Sequence, residues 1–178
     1  LCDPRSADAK ERLNARVKHR QAFRPFAPAV PVEKADEWFE PGPASPHMMF
    51  VRRVRPDRAG RIPAVVHVDG TARLQTVDRA DDPLFHDLLT AFERVTGVPV
   101  IVNTSFNLRG EPIVETPKDA LLCFLRTDMD LLVLHDRLVE KKSAFAPLRR
   151  FLFEWSRASE AESVGSLIKD TLRRYTGE

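Results

Sequence analysis

The sequence predicts an α/β fold. Apolar runs at strand spacing alternate with segments of helical spacing along most of the chain. Over 178 positions, 43% hydrophobic against 30% charged residues is enough to fill one core and too apolar for a disordered chain. No apolar run approaches the roughly 20 residues of a membrane span, which excludes a transmembrane protein. Fourteen prolines against seven glycines predict many fixed turns and strand edges.

Taken in order, residues 6–17 read as a short helix, with Leu13 and Val17 at helical spacing and Ser6 available as its N-cap. Lys18-His19-Arg20 follows it directly. The proline-rich stretch Phe23 to Pro31 cannot be regular helix and reads as an extended edge segment. Glu33 to Phe39 suits a short helix, and residues 41–46 form a loop by composition. His47 to Val54 and Ala64 to Val77 read as strands, the second broken by a hairpin turn at Asp69-Gly70. Leu84, Leu88, Phe92 and Val95 recur at helical spacing after Asp82-Pro83, and Gly97 closes that helix with a left-handed cap. Val98 to Val102 is a buried strand that runs into the polar loop Asn103 to Asn107. Open α/β sheets commonly place ligands at such a carboxyl end. Thr116-Pro117 starts a helix through Leu125. Asp130 to Leu134 is a strand whose partner is sought in Arg137 to Val139. Beyond Pro147, Leu148, Phe151, Leu152 and Trp155 make one helical stripe, and Val164, Leu167, Ile168 and Leu172 a second. These predict an amphipathic helical tail over 143–178, distinct from a main domain over 1–142.

Charge and cysteine content exclude several classes of function. A formal net charge of +2 is too small to supply by itself the phosphate-neutralising field of a nucleic-acid binder. Cys2 and Cys123 make neither a close-spaced metal motif nor a disulfide scaffold, so a reducing, cytoplasmic compartment is expected. The opening Leu1-Cys2-Asp3-Pro4 resembles the middle of a longer polypeptide, so the chain is expected to be a fragment.

Three motifs carry candidate chemistry. In a strand, Lys18 and Arg20 would share one face, and with Arg24 they could grip a phosphate and a carboxylate together. Taken alone, they are better read as a solvated basic face. Thr104, Ser105 and Asn107 would suit a phosphate or a carboxyl oxygen, or simply cap a turn. His67, Asp69 and Arg73 surround a turn where a phosphate or acyl phosphate could be held, although Asp-Gly is an ordinary turn pair. His47, His86 and His135 lack partners at metal-ligand spacing and receive no function.

Four segments read together are more specific: Asn14 to Arg20, Phe23 to Pro28, His67 to Val77 and Asn103 to Val114. Their order and wording closely resemble the C-terminal domain of the NodU/CmcH/TobZ O-carbamoyltransferases, over about residues 1–141. The resemblance implies a YrdC-like fold with a twisted, largely mixed sheet. It implies a domain that makes carbamoyl adenylate from carbamoyl phosphate and ATP with Mg²⁺. A separate N-terminal domain, which brings a further metal, would then transfer the carbamoyl group to a small-molecule hydroxyl acceptor. Lys18 and Arg20 match a Lys-x-Arg pair of YrdC-like proteins, and Ser105 and Asn107 match their Ser-x-Asn pair. The resemblance gives Lys18, Arg20 and Arg73 catalytic roles and places Arg24, His67, Thr104, Ser105, Asn107 and Arg109 around the nucleotide and carbamoyl group, with Gln75 in the same motif as His67. No metal ligands are expected in this chain, and neither a membrane nor a nucleic acid as partner.

The residue types agree with adenylation, which needs cations for the phosphates and little acid/base work. Lys18→Ala is expected to lose most adenylation without unfolding the domain. A second reading is a nucleotide- or RNA-binding module without activity of its own, since Leu1 to Arg24 carries seven Lys or Arg against three Asp or Glu. A third is an inert fragment completed only by the missing domain.

Overall fold

A computed structural model describes residues 1–19, 21 and 23–141. The predicted tail from Ser143 and Arg20 lie outside the described residues. The chain divides into two compact units, Leu1–Ser105 and Phe106–Glu178. The predicted α/β class holds. Among the described residues no helix is long and apolar enough to cross a membrane.

The first unit opens with α1, Ala9–Arg12, which continues as a π-helical turn over Leu13–Lys18. Ser6 does not cap it as expected. Its hydroxyl bonds the Asp8 carboxylate instead, while its carbonyl accepts from the Ala9 N–H. His19, at φ 47°, turns the chain out of the helix in a left-handed conformation. Lys18 therefore ends a helical turn and does not lie in a strand, as its pairing with Arg20 on one strand face would have required.

β1 (Ala27–Pro31) leads through a 3₁₀ turn at Val32–Lys34 into α2 (Ala35–Trp38), as the sequence suggested. β2 (Phe50–Arg53), α3 (Pro56–Ala59), β3 (Thr71–Val77), α4 (Pro83–Thr96) and β4 (Ile101–Asn103) complete the unit. The strands form one mixed sheet in the order β2-β3-β1-β4, with β1 parallel to β3 and the other two pairs antiparallel.

The proline-rich segment is therefore an inner strand rather than an edge. Val102, opposite Pro28, directs both its N–H and its C=O away from β1 and onto Cys2, so that pairing asks no donor of Pro28. Pro31 is the last residue of the strand. Asp69-Gly70 also differs from expectation. The Gly70 N–H bonds the His67 carbonyl to close a turn, with Gly70 at φ 79°. The segment before that turn is a 3₁₀ helix, Pro63–Val65, and the antiparallel neighbour of β3 is β2.

β3 sorts its side chains by parity. Ala72 and Leu74 join Phe26, Val30, Trp38, Phe39, Ile62, Val100 and Val102 in the main core. Val77 lies on the opposite face with Ala29 and Ile101, where α4 lays Leu89, Phe85 and Phe92 over them. The extent of α4 was legible in the sequence. The Asp82 carboxylate accepts from the Phe85 N–H at 3.0 Å, and Gly97 caps at φ 70°. Its buried face was not: Leu84 and Val95 are 82% and 87% exposed. Helical spacing gives α4 two apolar stripes, and the sheet takes the one with the aromatic rings.

In the second unit, α5 (Pro117–Leu125) starts at a capping box between Thr116 and Asp119. β5 (Leu131–Leu134) and β6 (Arg137–Glu140) form the expected antiparallel pair. Ala120, Phe124 and Leu132 make the core of this unit.

Candidate functional site

α4 packs on one end of one face of the sheet. α4 lies over Val77, Ala29 and Ile101, at the carboxyl ends of β1 and β3 and the amino end of β4. The same face continues to the other end of those strands, where the alternation brings up Gln75, Arg73 and Thr71 from β3 and Asn103 from β4. Between them β1 presents only Ala29 and Ala27, in register with Gln75 and Asn103 respectively. Over these small methyl groups the Asn103 amide reaches Gln75, Nδ2 donating to Oε1 at 2.7 Å. Gln75 Nε2 in turn donates to the Pro46 carbonyl at 3.2 Å. Arg73 stands exposed beside this amide chain.

Two residues past β4, the chain meets Lys18. That lysine ends the π-helical turn and is only 5% exposed. Its Nζ donates to the Ser105 carbonyl oxygen and lies 3.3 Å from the Ser105 hydroxyl. The fold thus joins two motifs far apart in sequence, while Ser105 itself is exposed and Thr104 half-buried. Asn14, fully buried inside the turn, donates from Nδ2 to the Arg24 carbonyl at 3.2 Å and so ties down the segment that follows Lys18. The Arg24 side chain is exposed. A π-turn often marks a functional position, because its extra residue displaces side chains from ordinary helical register.

His67 is half-buried at the entry to β3. Its backbone N–H donates to the Thr71 carbonyl at 2.7 Å, and its ring Nδ1 lies 3.1 Å from Thr71 Oγ1. The Thr71 hydroxyl donates to Asp69 Oδ1 at 2.7 Å. Burial pushes the imidazole below its ordinary pKa; Asp69 pulls it back up, while Lys10 and Arg73 lower it further. The Asp69 carboxyl is held low in turn, chiefly by the hydrogen bond from Thr71.

The second unit carries the other two predicted residues. Asn107 donates from Nδ2 to the Glu111 carbonyl at 2.9 Å, closing its own loop, and Arg109 is exposed. Of the histidines given no function, His86 is a buried partner of Glu33, at 2.8 Å.

Sequence reasoning passed over four residues that build this site. Asn103 begins the quoted Asn-Thr-Ser-Phe-Asn run, and its place at a strand end was the available signal. Thr71 lay within a quoted motif. Asn14 opened the first quoted motif but was given no role, and nothing in the sequence singled out Lys10.

Chemically, buried Lys18, exposed Arg73 and nearby Lys10 offer positive charge, while hydroxyls and amides stand beside them. That combination suits a ligand with phosphate or acyl-phosphate oxygens. Among the described residues there is no group of three or more His, Cys, Asp or Glu side chains that could hold a metal ion.

Comparison with known proteins agrees with the resemblance of the four motifs. The family model described as carbamoyltransferase C-terminus matches residues 1–141. Nodulation protein NolO of Bradyrhizobium diazoefficiens is 48% identical over 147 residues, covering 81% of this chain and 27% of that protein. The 3′-hydroxymethylcephem-O-carbamoyltransferase of Amycolatopsis lactamdurans is 40% identical over 134 residues, covering 75% of this chain and 25% of that enzyme. The chain therefore spans about a quarter of the length of these curated relatives. With its main sheet, its Lys18–Ser105 junction and its His67 to Val77 motif inside the matched region, the chain belongs to the carbamoyltransferase C-terminal family.

Proposed function

We propose that this chain forms carbamoyl adenylate for an O-carbamoyltransferase, using carbamoyl phosphate and ATP. The observation that carries the reading is the junction of buried Lys18 with Ser105, in the same unit as the polar end of the sheet bearing Arg73, Gln75 and Asn103.

For atoms to balance, carbamoyl phosphate must lose its phosphate to water and give carbamate. A carbamate oxygen then displaces pyrophosphate from the α-phosphorus of ATP. The second step builds negative charge on the transferred phosphoryl oxygens and on the leaving pyrophosphate, and needs no protein nucleophile. Lys18 and Arg73 supply fixed positive charge for those oxygens. Lys18 is already desolvated and held by Ser105, so it reorganises little on binding. Arg20, Arg24, Asn107 and Arg109 complete the proposed set by family resemblance. Mg²⁺ keeps several waters and takes phosphate oxygens as ligands, so it enters with the nucleotide. The carbamoyl group then passes to a hydroxyl acceptor at the remaining part of the longer enzyme.

ATP–pyrophosphate exchange tests this, with labelled pyrophosphate, Mg²⁺ and carbamoyl phosphate on the purified chain. Exchange that requires carbamoyl phosphate is the expected result. Nucleotide binding without exchange would overturn the reading for this chain by itself, since the site would then need the rest of the enzyme to complete it. Binding that ignores ATP and weakens steeply with salt would replace this reading with a nucleic-acid-binding module.

A further inference from the structure

We infer that His67 selects the carbamoyl group, its Nε2 accepting a hydrogen bond from the carbamoyl amide N–H. The inference rests on the carbamoyl-adenylate reading above and assigns this residue a role within it.

The tautomer follows from the hydrogen bonds. A carboxylate cannot donate, so the single proton of the Thr71 hydroxyl goes to Asp69 Oδ1 at 2.7 Å. Thr71 Oγ1 can then only accept from His67, across 3.1 Å, which places the ring proton on Nδ1. Nε2 is left as a bare acceptor. It is buried and has no hydrogen-bond partner among the described residues. An unsatisfied buried acceptor is costly, and an N–H donor brought by a ligand restores what is missing.

The surroundings decide between two uses of that lone pair. A general base must become imidazolium, and burial together with the charges of Lys10 and Arg73 opposes this, with only Asp69 favouring it. A neutral acceptor is favoured by the same surroundings. Of the proposed reactants, two groups carry N–H donors: the carbamoyl amide and the adenine amine. Cationic neighbours suit the phosphate end of the ligands, where the carbamoyl group reacts, rather than the base. Asp69 and Thr71 are positioning residues that act through the imidazole.

The test compares acyl donors in the exchange assay on the 178-residue chain. Acetyl phosphate replaces the amide by a methyl group of similar size that cannot donate. The wild-type chain is expected to prefer carbamoyl phosphate by at least about 10-fold in kcat/KM, the worth of one hydrogen bond to a buried acceptor. His67→Leu, its fold checked by circular dichroism, is expected to lose that preference, and His67→Gln, which keeps an acceptor at similar reach, to retain part of it. Thr71→Val releases the tautomer and is expected to weaken the preference too; it serves in place of His67→Leu should that variant not fold. An unchanged preference in folded His67→Leu, or in Thr71→Val as its substitute, overturns the assignment to His67 while leaving adenylation standing. A change seen only between ATP and purine riboside triphosphate, which lacks the adenine amine, also overturns it and moves His67 to the base. No exchange with any acyl phosphate in the wild-type chain overturns this inference together with the reading beneath it.

Discussion

Replacing Lys18 by methionine separates what this residue does for the fold from what it does for the ligand. Methionine keeps an unbranched stem of similar length at the buried position but removes the charge and the donors. On the stability side, the hydrogen bonds to Ser105 are lost and the desolvation of a nearly buried ammonium is relieved. Ser105 is exposed, so its freed carbonyl and hydroxyl turn to water. These terms oppose one another, and the net cost is expected to be under about 1.5 kcal/mol, as for volume-conserving swaps. At about 2–4 °C per kcal/mol for a chain of this size, the melting temperature falls by less than about 6 °C. Lys18→Ala is a poorer experiment than the sequence suggested. It removes three buried methylenes at about 0.8 kcal/mol each, about 2.5 kcal/mol before any hydrogen bond is counted. On the ligand side, one charge-assisted hydrogen bond of about 1.5–3 kcal/mol corresponds to a loss of about 10- to 150-fold in exchange rate. Thermal denaturation by circular dichroism and ATP–pyrophosphate exchange on the same preparations read the two effects. A Lys18→Met chain that exchanges at the wild-type rate would refute the assignment of Lys18 to the phosphates. One that melts as early as Lys18→Ala would show that the lysine is a structural strut.

Three further outcomes follow from the geometry. Asp82→Ala removes the side-chain acceptor of the Phe85 N–H at the start of α4 and is expected to cost about 1 kcal/mol, read as a melting point about 2–4 °C lower; Asp82→Ser should restore most of it. Gly97→Ala places a Cβ at φ 70°, 3.3 Å from the movable end of Arg61, so backbone strain rather than collision sets a cost of about 1–2 kcal/mol, measurable by urea denaturation. His67 should titrate by NMR below the free imidazole value of about 6.5. Arg73→Ala should move that midpoint up and Asp69→Asn down, since Arg73 lowers it and Asp69 raises it. Because the folded state disfavours the charged ring, the stabilising contribution of His67 is complete above pH of about 6.5 and is lost as pH falls through the window below it. A wild-type midpoint at or above the free value would contradict the burial of this ring.

Local rules written in adjacent residues were legible without the structure. Asp82-Pro83 and Gly97 bound α4, Thr116-Pro117 begins α5, and the apolar run ending at Val102 gives the buried strand before the polar loop. These features depend on capping and on backbone restrictions that act within a few residues. The four motifs, by their wording and order, also carried the family. What the sequence could not decide is which of two apolar stripes α4 buries, because helical spacing alone makes both amphipathic. Nor could it place a segment containing Pro28 and Pro31 inside a sheet, since that depends on Val102 turning its hydrogen bonds toward Cys2. The Lys18–Ser105 junction and the Asn103–Gln75 bridge across Ala27 and Ala29 join positions distant along the chain. Such pairings are set by sheet order and register, which arise from burying side chains against one another rather than from the propensity of any segment. The sequence by itself determined both ends of α4, the start of α5 and the residue types of the site; only the tertiary structure decided which of those residues meet.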